Sequence, residues 1–111
     1  MKFLMVVSLL ISSISAMAIE CQAIRQYANN TTKSIVLEVA TDFPTQAKLV
    51  GDIDEIHYFV LYDKQNHEIK TMITEGPDYT QGSISTAILN AGNEVRHTRV
   101  NGYEANKIIC K

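Results

Sequence analysis

Three histidines, His57, His67 and His97, have the widest chemical reach in this sequence, since imidazole serves both as metal ligand and as general acid or base near neutral pH. Their spacing assembles no site. Apolar–polar alternation through 56–62 and 67–73 places His57 and His67 near opposite ends and on opposite faces of one hairpin. His97 has Arg96 and Arg99 for neighbours, whose charges oppose a bound cation, and zinc needs three or four convergent ligands. The histidines read as surface or core-edge imidazoles, and a small hydrolase or metal-binding protein built on them is the second reading of the chain.

The acidic run Asp52-Ile53-Asp54-Glu55 resembles a fragment of a calcium loop but lacks its further oxygen ligands, so it reads as a solvated acidic turn. Gly82-Ser83-Ile84-Ser85-Thr86 lacks the second glycine of a nucleophile elbow. No glycine loop that would cradle phosphate is present. The expectation is therefore a non-enzyme with no cofactor and no metal.

Cysteine chemistry is more informative. Residues 1–18 have a lysine at position 2, an apolar run from Phe3 to Ile11 broken only by Ser8, and the ending Ala16-Met17-Ala18, which is the pattern of a signal peptide cleaved after Ala18. The run is too short to span a bilayer. Export makes the protein secreted or periplasmic, where two cysteines and no third form one disulfide, Cys21–Cys110. A redox-active pair needs closer spacing, so the bond reads as a structural staple.

Two features offer binding surfaces. The turn Gly76-Pro77-Asp78-Tyr79 sets an aromatic beside a rigid bend, an anchor for a partner pocket. Arg96, Arg99, Lys107 and Lys111 gather toward the C-terminus, and a basic ribbon there could steer an anionic partner. The sequons at Asn29 and Asn30 matter only in a host that glycosylates exported chains. A whole-chain net charge of −2 gives no general draw to nucleic acid.

The elements that must position these residues are strands. Residues 19–111 contain 11 Ile and 6 Val against 4 Leu, and β-branched side chains favour pleated surfaces over helices. Frequent turn signals separate short apolar runs, predicting one all-β domain over 19–111: a small antiparallel β-sandwich or barrel of six to eight short strands, its termini joined by the disulfide. A hairpin over 56–73 turns at Asp63–Asn66, pairing Val60 with Ile69 and setting Ile56, Tyr58, Val60, Tyr62, Ile69 and Ile73 on a core face. A second hairpin turns at Asn101-Gly102, pairing Arg99 with Glu104 and Val95 with Ile108, and forms an edge or projecting ribbon. Further strands are expected at 35–40, 47–53 and 83–89, and at 20–28 in preference to a helix.

Size, export and a single disulfide are shared with small secreted β-barrel inhibitors of hydrolases, a likeness of architecture that assigns no residues. The leading expectation is an exported non-catalytic β domain that binds an extracytoplasmic protein or polysaccharide, with Asp78, Tyr79, Arg96 and Arg99 as candidate contacts. A structural envelope component is the third reading.

Overall fold

A computed structural model describes residues 19–111; the expected signal peptide, residues 1–18, lies outside the described residues. Nine strands run through them: β1 (Cys21–Gln26), β2 (Thr32–Val36), β3 (Glu38–Asp42), β4 (Gln46–Ile53), β5 (Ile56–Asp63), β6 (Glu68–Glu75), β7 (Gln81–Ile88), β8 (Val95–Asn101) and β9 (Glu104–Cys110). All pairings are antiparallel, in one sheet of order β2-β1-β9-β8 and another of order β3-β4-β5-β6-β7. The ninth strand arises from the segment 35–40, which is two strands divided by Leu37 alone.

That division makes the fold. The chain leaves one sheet at Val36 and joins the other at Glu38, while the Leu37 amide donates to the Cys21 carbonyl and its side chain is buried. The ribbon rolls over β4 at this corner because Gly51 leaves room: a Cβ there would stand 2.8 Å from both Ile35 Cδ1 and Leu37 Cδ2. Followed round the molecule, the strands form a rolled ribbon closed at the Leu37 corner and open along a seam between β7 and β8. Leu49, Ile53, Tyr58, Val60, Ile69, Ile73 and Ile108 fill the space between the sheets.

The segment at 20–28 is a strand, with Cys21, Ala23 and Arg25 alternating inward. Cys21 and Cys110 are direct cross-strand partners on β1 and β9 and are disulfide-bonded. Next to them Glu20 and Lys111 exchange both backbone hydrogen bonds.

Both hairpins correct the expected register by two residues. In the first, Asp63 pairs with Glu68 and Val60 with Thr71, and the turn is Lys64–His67. Asp63 remains in the ladder because its Oδ1 accepts from the Gln65 and Asn66 amides, capping the turn, while His67 takes the left-handed φ of 60°. In the second, Asn101 pairs with Glu104 and the turn is Gly102-Tyr103, with positive φ at Gly102 but not at Tyr103, the pattern of a type II′ turn. A two-residue slip leaves every side chain on its expected face, so the core face of 56–73 stands. The C-terminal hairpin is not a projecting ribbon: β8 is an edge strand, but β9 is interior and carries the disulfide.

Candidate functional site

Loops emerge at both ends of the ribbon, and their chemistry differs. One end carries the turns after β1, β4, β6 and β8. Antiparallel pairing brings six carboxylates there, Asp52, Asp54, Glu55, Glu75, Asp78 and Glu104, half of the chain's twelve, against the cations Arg25, Lys33 and Arg99. The network is built around Arg25, an inward position of β1 that is 9% exposed. Its guanidinium donates to Asp54 Oδ2 at 3.1 Å and Glu104 Oε1 at 2.9 Å, and lies 4.9 Å from the centre of the Tyr27 ring. Its Nε is buried without an acceptor among the described residues. Tyr27 Oη donates to Asp54 at 2.5 Å. That hydrogen bond raises the Tyr27 phenol against the pull of Arg25, and together with Arg25 it holds the Asp54 carboxyl below its usual range. Arg99 Nη2 pairs with Glu75 Oε2 at 3.0 Å, where Asn101 also donates. A cleft of about 220 Å³ opens between Arg25, Glu55, Glu75, Glu104 and Asn106.

Tyrosines rim this acidic end. Tyr79 holds a left-handed φ of 56°, unusual for a bulky residue, packs edge-on to His57 at 5.9 Å, and stays 48% exposed. Tyr103, at the tip of the β8–β9 turn, is 89% exposed. His57 pairs with Asp52 at 2.6 Å. In this acidic hairpin turn Asp52 serves His57, while Asp54 and Glu55 both face Arg25, Glu55 at 3.9 Å.

The opposite end holds a larger cleft of about 660 Å³, walled by Ile19, Tyr62 and Leu89 and edged by Lys64, His67 and Lys111. Here Tyr62 Oη lies 3.1 Å from His67 Nδ1. Lys64 is ion-paired with Asp42.

His97 spans the seam between the ends. It sits on β8, 7% exposed, with Nδ1 2.8 Å from Thr71 Oγ1 on β6 and Nε2 2.7 Å from Ser83 Oγ on β7. A serine–histidine contact is half of a hydrolytic triad, but the second nitrogen meets a threonine hydroxyl where a triad has a carboxylate, and neither cleft is lined by Ser83 or His97. Burial lowers the His97 pKa, keeping the ring neutral and able to donate from one nitrogen and accept at the other.

The three histidines are therefore apart: one on the acidic rim, one at the far cleft, one in the seam. Asp78 and Tyr79 lie together on the acidic end. Arg96 and Arg99 face opposite sides of β8 and each has its own carboxylate, Glu94 at 2.5 Å and Glu75, so these two do not combine on one basic face. Arg99 meets Glu75 instead of Glu104 because the register places Asn106 opposite it. Sequence reading missed Arg25 and Tyr103. The signal for Arg25 was present, a charge at an inward position of an alternating strand, which folded proteins bury only when paired. Comparison with family models, curated proteins and solved structures finds no match.

Proposed function

We propose that this protein is an exported, non-catalytic β domain that captures a cationic protein outside the cytoplasm with its acidic, tyrosine-rimmed end. The observation that carries this reading is the clustering of half the carboxylates at one end with the exposed rings of Tyr79 and Tyr103. Tyrosine supplies rigid contact area at low entropic cost, and aromatic anchors dominate protein interfaces. The surrounding charge accelerates encounter with a basic surface and repels polyanions, which favours a basic protein over an anionic wall polymer. The disulfide suits an oxidising compartment, in keeping with the export pattern of residues 1–18.

The test places a photo-crosslinking p-benzoylphenylalanine at position 79 and irradiates the oxidised protein with an extracytoplasmic extract. The expected product is an adduct with a basic protein, weakened by salt and by the pair Asp54→Asn and Asp78→Asn. Equal labelling from a probe at Val36, exposed on β2 at the opposite end of the ribbon, or adducts only with anionic polymer, would refute the reading.

A further inference from the structure

The edge strand β7 points to self-association. Four strands are edges among the described residues, and three carry features that block the addition of another strand. β2 is five residues long and contains Lys33; β3 is equally short, contains Glu38 and Asp42, and has a register irregularity between Val39 and Thr41; β8 contains Arg96 and Arg99. β7 has none of these. It runs eight residues, Gln-Gly-Ser-Ile-Ser-Thr-Ala-Ile, without charge, proline or bulge, in unbroken register with β6.

Its outward side is also apolar and continues a row across the sheet. Val50, Phe59, Met72 and Ile84 are successive direct cross-strand partners from β4 to β7, all on the face turned away from the core. Ile84, at the free end of that row, is 64% exposed. A twofold pairing brings like residues toward one another, so a charged edge opposes like charges and an uncharged one does not.

We propose that β7 pairs antiparallel with β7 of a second copy of this chain, with Ile84 opposite Ile84 on the twofold axis. In this register Ser83 faces Ser85 and Gly82 faces Thr86, overlapping most of the strand. The two five-stranded sheets become one sheet of ten strands. The apolar row then runs unbroken from Val50 of one copy to Val50 of the other, and each Ile84 is covered by its counterpart. The interface is small and its equilibrium concentration-dependent. Antiparallel pairing points the two acidic ends in opposite directions, leaving both open.

Sedimentation velocity on the oxidised protein over a hundredfold concentration range tests this. The parent protein shifts from monomer to dimer with concentration. Ile84→Lys stays monomeric with an unchanged melt, because the side chain stands in solvent in the monomer, while Val100→Lys on β8 dimerises like the parent. Under mild oxidation Ile84→Cys gives a covalent dimer much faster than Val36→Cys, an equally exposed position on β2. A parent that stays monomeric throughout, an Ile84→Lys variant that dimerises normally, or equal cross-linking from positions 84 and 36 overturns the proposal.

Discussion

Tyr58 of β5 donates its phenolic hydrogen to Asn106 Oδ1 of β9 at 2.6 Å, a polar link between the two sheets whose members are both almost wholly buried. Burial raises the Tyr58 pKa, so the hydroxyl remains a donor across the ordinary pH range. Tyr58→Phe strands the Asn106 oxygen and should cost about 1–3 kcal/mol, as should Asn106→Leu by stranding the hydroxyl. The double variant should cost clearly less than the sum of the singles. Urea denaturation of the four proteins checks this, and strictly additive losses would remove the bond from the account.

His97 makes stability depend on pH in a definite direction. Its folded pKa lies below the ordinary 6.5 because burial disfavours the charged ring. The neutral ring's contribution is therefore complete above the unfolded value and is lost as pH falls from about 6.5 toward the folded value, since the unfolded chain takes up the proton first. The partners facing it, Thr71 and Ser83, are neutral hydroxyls, and the nearest charges on its own face are Arg99 with Glu75. The melting temperature should drop between pH 7 and pH 5, and His97→Gln should flatten much of that drop. An unchanged pH profile in the variant would assign the effect to other groups.

Reduction of Cys21–Cys110 should destabilise the fold by about 2–4 kcal/mol, with the loop-entropy value for residues 89 apart as the ceiling. For a domain of this size each kcal/mol is worth roughly 4–8 °C in melting temperature. The strands should still form, because the β1–β9 ladder is held by backbone bonds on both sides of the disulfide. Differential scanning calorimetry with and without reductant measures the shift; no shift would mean that the bond constrains nothing.

Gly102 has φ +66°, and a Cβ added there would meet nothing within 4 Å, so a side chain at this position encounters conformational strain and no clash. Gly102→Val should cost about 1–3 kcal/mol and slow correct oxidation, while Gly102→Asn should recover much of the loss. A Gly102→Val protein that melts and oxidises like the parent would dissociate this residue from the turn.

The sequence readily reveals which side chains share a face and is poor at revealing where a hairpin reverses. Alternation through 56–62 identifies the core face because strand periodicity is a property of neighbouring residues. Whether the turn starts at Asp63 or Lys64 depends on the Asp63 carboxylate capping the next amides, a three-dimensional contact. The corner at Leu37 is similarly hidden, since residues 35–40 have the pattern of one strand and the bend depends on Gly51 of another. At the acidic end Asp78 and Tyr79 were legible as a turn with an anchor, whereas Glu104, Glu75 and Arg25 come together from three strands and two sheets.

The position of the disulfide determines how the molecule carries mechanical load. Cys21 and Cys110 are the cross-strand pair one step inside Glu20 and Lys111, at the end of the ribbon away from Tyr79 and Tyr103. Tension applied between Glu20 and Lys111 passes through the sulfur–sulfur bond, and residues 22–109 lie outside the force path. Tension between Tyr103 and Lys111 is borne by the extended backbone of β9 itself, whereas tension that enters at Tyr79 and leaves through Lys111 runs along the strand axes of several paired strands. Ladder hydrogen bonds lie across those axes, so they resist such a pull together, in shear, and do not unzip one after another.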